Sequence, residues 1–508
     1  MENKFMILKS GTDIRGIAVE GVPNEHITLT DEIIEKIALS FAHWISDKKS
    51  KKYNDLHVAI GHDSRVSANR IKKQLIDTLS SVGINIFDCG LSSTPAMFMS
   101  TIDLSCDASI EITASHHPFN RNGLKFFTRD GGLDSCDIED ILNYANKSDI
   151  KVSTNKKGTV EKVNYMETYA KRLRKIICNG INCTEQEKPL SGFKIIVDAG
   201  NGAGGFYAKD VLLPLGADIT GSQFLSPDGY FPNHIPNPEN RVAMQSIVEA
   251  TIKNNADLGL IFDTDVDRAS AVDNKGNEIC RNSLIALASE IALESNENGT
   301  IVTDSITSDG LHEYIEEVLH GVHNRFKRGY KNVINEAKRL NLQGINCPLA
   351  IETSGHAAMR ENYFLDDGAY LVTKIIIKMV NLKKQGQNLD NILNKLKKPE
   401  ESLEFRLNII NSDFKTYGED IIDDLYSYAQ KNDDWHIAPD NKEGIRVSFD
   451  ENNGDGWFLL RLSVHDPVMP LNIESNKIGG AKVILNKFKK FIKDYEGLDL
   501  KSLEEGIK

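Results

Sequence analysis

The chain has 508 residues, of which 40% are hydrophobic and 26% charged, and its formal net charge is −13. This length exceeds a single hydrophobic core and predicts three or four domains. The acidity argues against nucleic acid as a partner, although a local cluster of arginines can still bind a small anion.

Neither a membrane segment nor a secretion signal is expected. No stretch of 18 residues lacks a charge, and the apolar run before Lys9 is shorter than a signal peptide requires. The seven cysteines are scattered and form no CxxC pair, which is typical of reduced thiols rather than of disulfides or a zinc site. We therefore expect a cytoplasmic protein that acts without a membrane.

Apolar runs alternate with helical patterns along most of the chain, which predicts α/β architecture. Thr30 or Asp31 is expected to cap an amphipathic helix that begins the series. Residues 57–63, 194–198 and 300–304 share one plan, a short strand that ends at an acidic residue and is followed by a polar or glycine-rich turn. The sequence therefore predicts three similar α/β units.

The last hundred residues differ from this plan. Strands are predicted at 405–410, 445–449, 457–462 and 471–473, with a tight turn at 453–456 and a helix over about 477–494. This pattern indicates a smaller α+β domain at the carboxyl end. The predicted domains are 1–185, 186–298, 299–402 and 403–508.

The segment 113–118, TASHHP, is the densest group of reactive side chains. A serine hydroxyl is a weak nucleophile that needs a base or a cation beside it. His116 and His117 follow Ser115 directly, and Lys125 lies ten residues further on. The proline and glycine nearby predict an ordered turn with Ser115 on a loop tip open to substrate. Taken alone, this serine indicates no more than a surface loop.

Three acidic residues, Asp263, Asp265 and Asp267, follow the apolar run 258–262. Carboxylates at alternate positions can direct three oxygens to one hard cation. An EF-hand is excluded because Arg268 and Asn274 stand where that loop needs glycine and glutamate. Close carboxylates repel one another unless a charge offsets them, so we expect one Mg²⁺ per chain, with phosphate oxygen as a further ligand.

Two further segments carry groups suited to a sugar phosphate. Glu352 and Ser354 can bind sugar hydroxyls, and His356 can move a proton. Arg461, at the end of a predicted strand, can bind phosphate in a bidentate manner. Each signal is weak alone, because a core histidine or a solvated arginine would look the same.

The run 200–205, GNGAGG, satisfies the GxGxxG fingerprint of dinucleotide-binding folds, and Asp218 lies near the expected distance. Asp198 directly precedes the glycines, where a pyrophosphate would be repelled. We interpret the run as a tight turn between strand and helix. A nicotinamide oxidoreductase remains an alternative, although it leaves Ser115 and the three aspartates unexplained.

Together these segments resemble the α-D-phosphohexomutase superfamily, which includes phosphoglucomutases and phosphomannomutases. The resemblance covers nearly the whole chain in the family's order, and the serine and aspartate loops carry most of its specificity. It also includes 10–16 (SGTDIRG), the residues Gly61, Asp63, Arg65 and Ser67, and the segment 231–239.

The resemblance implies four domains around a central cleft and an Mg²⁺-dependent enzyme that interconverts hexose 1-phosphate and hexose 6-phosphate, of glucose or mannose or both. Phosphorylated Ser115 would donate its group to the sugar, and a sugar bisphosphate would act as intermediate and activator. Lys125 and His356 are the candidates for general acid and base. Phosphoryl oxygens would be steadied by Arg15, His116 and Arg268.

The same resemblance implies the remaining ligands. Ser115 and the three aspartates would hold the metal. Substrate contacts are expected from Glu352, Ser354, Tyr330, Arg461, Ser463 and His465. Hexose phosphates are the only predicted partners, and the chain is expected to be a monomer or a dimer.

This sequence departs from the family pattern where residues 464–466, VHD, replace the usual Gly-Thr-Glu of the phosphate-binding loop, and where His117 and Ile351 replace asparagine and glycine. The variant phosphate-binding loop supports the alternative of a binding protein with a decayed site. A metal-dependent phosphatase using the same serine is a further alternative, which applies if water reaches the phosphoserine faster than the sugar does. The sequence does not distinguish glucose, mannose and glucosamine phosphates.

Overall fold

The structure is a computed structural model that describes residues 4–147, 156–439, 441–463 and 466–505. Within these ranges, no helix is both long enough and apolar enough to cross a membrane.

The amino-terminal part forms an eight-stranded mixed sheet in the order β1-β2-β6-β5-β3-β4-β8, with β7 paired to β6. Strands β3, β4, β5 and β8 run parallel, whereas β6 and β2 run antiparallel to their neighbours. The elements in chain order are β1 Lys9–Ser10, β2 Asp13–Ile17, α1 Asp31–Lys49, β3 His57–His62, α2 Ala68–Ser81, β4 Asn85–Leu91, α3 Thr94–Asp103, β5 Ala108–Ile112, β6 Arg121–Thr128, β7 Gly131–Gly132, α4 Ser135–Ala145, β8 Val160–Lys162 and α5 Tyr165–Gly180.

Helix α1 follows directly from its local sequence. Thr30 caps it by accepting a hydrogen bond from the Ile33 backbone N–H, as predicted. Acidic residues in its first turn and lysines in its last turn complement the helix dipole. Its apolar face is buried in the core of the first sheet through Ile34, Ile37, Phe41 and Ile45.

The second sheet has four strands in the order β12-β11-β10-β9, of which β9 and β10 are parallel. The strand predicted at 258–262 is β10, and all five of its residues are buried. The elements are β9 Ile195–Asp198, α6 Arg241–Lys253, β10 Leu258–Phe262, β11 Ala269–Asp273, β12 Glu278–Ile279 and α7 Arg281–Leu293, with a π-helical segment at Tyr207–Leu212.

Next come three parallel strands in the order β14-β13-β15, followed by an antiparallel pair, β16 with β17. The elements are β13 Thr300–Asp304, α8 Asp309–Glu313, β14 Val322–Phe326, α9 Tyr330–Leu342, β15 Leu349–Ile351, β16 Ala357–Met359, β17 Leu365–Asp366, α10 Gly368–Lys384 and α11 Asp390–Leu393, with a π-helical segment at Tyr314–Val318.

The carboxyl-terminal sheet is antiparallel, in the order β19-β20-β21-β22-β18-β23. Its elements are β18 Glu401–Ile409, α12 Phe414–Ala429, β19 His436–Ile437, β20 Ile445–Phe449, β21 Gly456–Leu460, β22 Val468–Ser475, α13 Gly480–Ile492, β23 Leu498–Asp499 and α14 Lys501–Glu505. The predicted fold class, three similar α/β domains followed by a smaller α+β domain, is therefore confirmed.

The chain separates into two compact units. The first contains the described residues up to Leu284 together with Ser354–Asp390, and the second contains Ile285–Thr353 and the described residues from Asn391 onward.

Within the second unit, buried Arg446 joins the last sheet to the parallel strands. Its guanidinium lies 3.6 Å from the centre of the Trp457 ring and donates hydrogen bonds to the carbonyls of Ser305 and Thr307. A third hydrogen bond goes to the Asp309 carboxylate at 2.6 Å. These contacts satisfy a buried cation and fix the loop after β13.

Candidate active site

The predicted nucleophile lies on the loop between β5 and β6, and it is buried. Ser115 is only 4% exposed, so the prediction of an open loop tip is wrong. Its φ of 51° is in the left-handed region, which a residue other than glycine seldom adopts. Such an angle persists only where the surroundings enforce it, and it is typical of functional sites.

Arg65 enforces the shape of this loop. Its guanidinium is buried and donates hydrogen bonds to backbone carbonyls along the loop. The four acceptors are the carbonyls of Ser115, His117, Pro118 and Arg121. A planar group with several donors thus holds the turn, which is why the loop is closed rather than exposed.

The Ser115 hydroxyl lies between the carboxyl group of Asp263 and the guanidinium of Arg268. It accepts a hydrogen bond from Arg268 at 3.1 Å and donates one to Asp263 Oδ2, also at 3.1 Å. Both partners come from the loop after β10, in the same structural unit. The arrangement orients the O–H bond and leaves a lone pair of the oxygen for reaction.

His116 and His117 are neutral in this environment. Burial, and next the cations around them, lower the pKa of His116 to about 2 and that of His117 to about 3. Arg268 donates to Nδ1 of His116 at 2.6 Å, so the ring proton belongs on Nε2. His116 can therefore donate one hydrogen bond from Nε2, but it is a weak base for Ser115.

The three aspartates form one buried cluster, in which ligand oxygens of Asp263, Asp265 and Asp267 lie within 4.8 Å of one another. Lys125 binds two of them, Asp265 at 2.8 Å and Asp267 at 2.5 Å. The turn that presents them carries Val266 at φ 68°, an outlying angle for a β-branched residue.

Helix α3 adds a further contact that the sequence did not reveal. The hydroxyl of Thr94 donates to Asp265 Oδ2 at 2.5 Å, and the Thr94 backbone N–H donates to the Asp265 carbonyl at 2.9 Å. The start of α3 therefore positions one carboxylate of the cluster.

The charges within the cluster are unevenly distributed. Burial, and next the carboxylates of Asp267 and Asp265, raise the pKa of Asp263 well above its usual range. Burial would also raise the pKa of Asp267, but the neighbouring cations Lys125 and His356 outweigh it and lower that pKa. The neighbouring cations therefore do not fully offset the burial and the negative charges that surround Asp263.

The cluster fits a hard divalent cation. Asp265 Oδ1 and Asp267 Oδ1 are buried and have no hydrogen-bond partner among the described residues. Buried oxygens without partners are costly, and carboxylates are the ligands that Mg²⁺ prefers. Asp263, Asp265 and Asp267 would hold such an ion, and the Ser115 oxygen lies beside Asp263.

His356 is paired with an acid of strand β17. Its Nδ1 lies 2.5 Å from Asp366 Oδ2 and 3.9 Å from Asp267 Oδ1. Burial opposes protonation of the ring, but the charges of Asp366 and Asp267 outweigh burial and raise the pKa of His356 to about 9. The ring is therefore a cation at neutral pH, and Asp366 is the residue that holds it so.

Two glycines allow the His356 segment to lie against loop 263–268, which carries the three aspartates and is called the metal loop below. A Cβ on Gly355 would meet the Ala269 carbonyl oxygen at 2.8 Å, and one on Gly368 would meet the Arg268 backbone at 2.7 Å. Gly355 also has φ 96°, which side chains rarely adopt.

The glycine-rich turn after β9 supports the same loop. The Ala203 backbone N–H donates to the Thr264 carbonyl at 2.8 Å, and a Cβ on Gly202 would lie 2.5 Å from that oxygen. Asp198 is fully buried and bound to His234 at 3.0 Å. The turn thus packs on the Thr264 backbone and leads from a strand into a helical segment, which agrees with the sequence interpretation of a tight turn between strand and helix.

Arg15 lies on β2, where it faces Gly123 of β6. Its guanidinium binds Asp13 at 2.7 Å. Its charge contributes to the low pKa of both histidines that follow Ser115. The first unit therefore brings the charge of Arg15 into the electrostatic surroundings of Ser115.

The second unit contains most of the predicted substrate contacts. Glu352 accepts a hydrogen bond from the Gly329 backbone N–H at 2.5 Å, just before Tyr330 opens α9. Glu443, which the sequence analysis did not single out, accepts from the Ser305 hydroxyl at 2.7 Å and lies 3.8 Å from the Arg461 guanidinium.

Arg461 and Ser463 lie directly after β21. The Arg461 backbone N–H donates to the Pro470 carbonyl at 3.1 Å, and that of Ser463 donates to the Val468 carbonyl at 3.0 Å. Ser354 lies in the first unit, two residues before His356, and is 7% exposed. His465 lies outside the described residues.

Several site residues were not identified from the sequence. Arg65 had a signal, because it was part of the family resemblance, but no role was assigned to it. Thr94, Asp366 and Glu443 had none, because each acquires its role from a contact with a residue more than nine positions away.

Comparison with known proteins identifies the class of this fold and site. Residues 7–150, 167–276 and 281–399 match the models of phosphoglucomutase/phosphomannomutase, alpha/beta/alpha domains I, II and III. The matches follow one another in order and together cover more than half of the chain. The class that the fold and these matches define is that of intramolecular phosphotransferases, which are isomerases. The chain belongs to the phosphoglucomutase/phosphomannomutase family.

Curated relatives match this chain over most of its length and over most of their own. A phosphomannomutase/phosphoglucomutase of Pseudomonas putida is 29% identical over 443 residues, 86% of this chain and 88% of the relative. A phosphoglucomutase of Neisseria gonorrhoeae is 27% identical over 481 residues, 94% of this chain and 95% of the relative. The mutase interpretation is confirmed, and these comparisons do not support a phosphatase or an oxidoreductase.

Solved structures share the fold. A phosphoglucomutase/phosphomannomutase family protein of Burkholderia thailandensis has a TM-score of 0.77 at 23% identity, covering 100% of this chain and 99% of its own. The Paramecium phosphoprotein parafusin, a phosphoglucomutase, has a TM-score of 0.71 at 16% identity, covering 95% and 94%.

Proposed function

We propose that this protein interconverts hexose 1-phosphate and hexose 6-phosphate, of glucose or mannose or both, through phosphorylated Ser115 and a sugar bisphosphate. The observation that carries this proposal is the Ser115 hydroxyl, which is hydrogen-bonded to both Arg268 and Asp263. A buried serine between a guanidinium and a cluster of carboxylates is suited to phosphoryl transfer.

Each turnover consists of two transfers. In the first, the P–O bond at Ser115 breaks as a P–O bond forms to the free sugar hydroxyl, and that hydroxyl loses its proton. In the second, the other phosphoryl group of the bisphosphate returns to Ser115. The guanidinium of Arg268 offsets charge on the phosphoryl oxygens throughout, assisted by Arg15 and by Nε2–H of His116.

The protein supplies two proton carriers. His356 enters the cycle protonated because Asp366 keeps its pKa near 9, so we assign it the role of acid that protonates the departing oxygen. Lys125 is the other candidate, and it would take the proton of the sugar hydroxyl as a base only after losing the proton that its ion pairs with Asp265 and Asp267 hold.

The aspartate cluster is proposed to hold one Mg²⁺ together with an oxygen of phosphorylated Ser115. When bound, the ion supplies positive charge that offsets the phosphoryl group in the transition state. The protein's own part is to hold the Asp265 carboxylate in place, through Thr94.

The remaining predicted contacts concern the part of the substrate that does not react. We assign sugar hydroxyls to Glu352, Ser354 and Tyr330, and the phosphate that is not being transferred to Arg461 and Ser463. His465 is proposed to add a ring N–H to that phosphate. The phosphate must be recognised in either orientation of the bisphosphate, so its partners should not depend on which carbon carries it.

A coupled mutase assay tests the proposal. Glucose, mannose and glucosamine 1-phosphates are supplied with Mg²⁺ and a trace of the matching sugar bisphosphate, and formation of each 6-phosphate is measured beside release of inorganic phosphate. We expect conversion of the glucose or mannose substrate, dependence on the bisphosphate and little free phosphate. Stoichiometric release of phosphate without isomerisation would contradict the proposal and favour a phosphatase.

A further inference from the structure

One acidic residue beside the proposed active site has no part in the reaction described above. Glu111 lies on β5 and is fully buried, and neither of its carboxyl oxygens has a hydrogen-bond partner among the described residues. Burial, and next the carboxylates of Asp63 and Asp265, raise its pKa well above the usual range. An apolar side chain would fill this position at lower cost.

The side chain of Glu111 lies on the face of the sheet that carries Lys125. The two residues are direct partners in the antiparallel register of β5 and β6, so their side chains point to the same face with Cβ atoms about 5 Å apart. On the other flank, Gly61 of β3 makes room for the carboxyl group, because a Cβ there would lie 2.8 Å from Glu111 Oε2.

The Lys125 ammonium now bonds to Asp265 and Asp267, which are also the proposed ligands of Mg²⁺. A divalent cation on those carboxylates weakens their attraction for a neighbouring ammonium and repels it directly. Lys125 is only 4% exposed, so water cannot readily replace the lost partners. The ammonium then needs another buried acceptor.

We propose that Glu111 is a positioning residue for Lys125, whose carboxyl oxygen accepts a hydrogen bond from the ammonium when Mg²⁺ occupies the aspartate cluster. The role needs an acceptor oxygen, which both a carboxylic acid and a carboxamide provide. By stabilising the displaced ammonium, Glu111 favours metal binding. This inference rests on the proposed role of the aspartates as metal ligands.

The test measures Mg²⁺ affinity directly, by titration calorimetry on the full-length unphosphorylated protein. Glu111→Met removes the acceptor oxygens and keeps a flexible side chain of similar size, and it should weaken Mg²⁺ binding about tenfold, as expected for one lost hydrogen bond to a charged group. Glu111→Gln should recover most of the affinity. Ser109→Ala is the matched control, because Ser109 lies on the same strand and face but bonds to the Met97 carbonyl.

A double variant establishes whether the effect passes through Lys125. In a Lys125→Met background, Glu111→Met should cause no further loss of affinity, and thermal unfolding confirms that each variant is folded. Equal affinity in wild type and Glu111→Met would overturn the inference alone, as would a tenfold loss that persists without Lys125. A Glu111→Gln variant as weak as Glu111→Met would also overturn it. A wild-type protein that binds no Mg²⁺ would overturn both the inference and the proposed metal site.

Discussion

Ser115 has the same distance, 3.1 Å, to the carboxylate of Asp263 and to the guanidinium of Arg268. The carboxylate accepts a hydrogen bond from the hydroxyl and the guanidinium donates one to its oxygen, so the side chain is fixed in one rotamer before any substrate binds. Fixing the geometry in advance removes part of the entropic cost of the reaction. The left-handed backbone angle at Ser115 is explained by the same requirement.

Replacing Ser115 by alanine should remove the phosphoryl acceptor while preserving the fold. We expect turnover to fall by roughly a thousandfold or more, and we expect the variant not to gain the mass of a phosphoryl group on incubation with sugar bisphosphate. Intact-mass spectrometry and the coupled assay measure the two effects. Ser109→Ala, on the adjacent strand, should keep both properties. A normal rate in Ser115→Ala would exclude the phosphoserine mechanism.

At the residue scale, the sequence predicted identities better than environments. The grouping of Ser115 with the three aspartates and Lys125 was implied by the family resemblance, and the first unit does bring these side chains together. The burial of Ser115 could not be predicted, because it results from Arg65 and from the loop after β10, which contact the serine across long stretches of sequence. Neighbouring side chains likewise determine that His116 is neutral and His356 charged.

The glycine-rich turn after β9 shows how one element supports another. Its backbone lies so close to the metal loop that Gly202 has no room for a side chain. The fingerprint glycines are therefore needed for close approach, which is also their use in dinucleotide folds, but here the approaching group is the Thr264 backbone. A local motif specifies the turn and not what the turn contacts.

Gly202→Ala should displace the metal loop. The added methyl group would lie 2.5 Å from the carbonyl oxygen of Thr264 and 2.7 Å from the Cα atom of Thr264, so the backbone at one of the two residues must move. We expect a loss of about 1 to 3 kcal/mol in the free energy of unfolding, with weaker Mg²⁺ binding in calorimetry. Gly132→Ala is a suitable control, because the nearest atom there is at 3.6 Å. An unchanged Mg²⁺ affinity in Gly202→Ala would show that the turn does not position the metal loop.

The ion pair between His234 and Asp198 should make the stability of the same element depend on pH. Burial of the ring opposes its charge, but the hydrogen bond and charge of Asp198 outweigh burial and raise the pKa of His234 above its usual value of 6.5. A raised folded-state pKa gives stabilisation that is complete below the unfolded value and is lost as pH rises through the folded value.

Wild type should therefore exceed His234→Gln in thermal stability by a larger margin at pH 6 than at pH 9. Thermal unfolding of both proteins at the two pH values measures the difference. His26→Gln provides the baseline, because His26 is an exposed histidine of the same unit. A margin that is constant, or that grows with pH, would mean that the pair does not stabilise the turn by its charge.

At the scale of the whole molecule, the proposed tasks are divided between the two units. The first contains the reactive serine, the aspartate cluster, Lys125, Arg268 and His356. The second contains Glu352, Tyr330, Arg461 and Ser463. Chemistry and recognition of the distant phosphate should therefore respond separately to mutation.

Arg461→Ala tests this separation. A lost hydrogen bond from a charged group to phosphate costs roughly 1.5 to 3 kcal/mol, so we expect KM for the hexose phosphate to rise about ten- to a hundredfold. Phosphorylation of Ser115 by a saturating concentration of sugar bisphosphate should persist in intact-mass measurements. Arg406→Ala is the control, because Arg406 is exposed on β18 of the same sheet. An unchanged KM would show that Arg461 does not bind the distal phosphate.

The sequence by itself determined the fold class and the family, and it is the source of the residues proposed for the chemistry, because strand and helix periods, caps and the serine and aspartate motifs are local properties of the chain. The cap at Thr30 and the buried strand at Leu258–Phe262 were predicted in this way. Only the tertiary structure decided which side chains are buried, charged or paired. Burial and neighbouring charges set those properties, and the neighbours of Ser115, Lys125 and His356 come from distant parts of the chain.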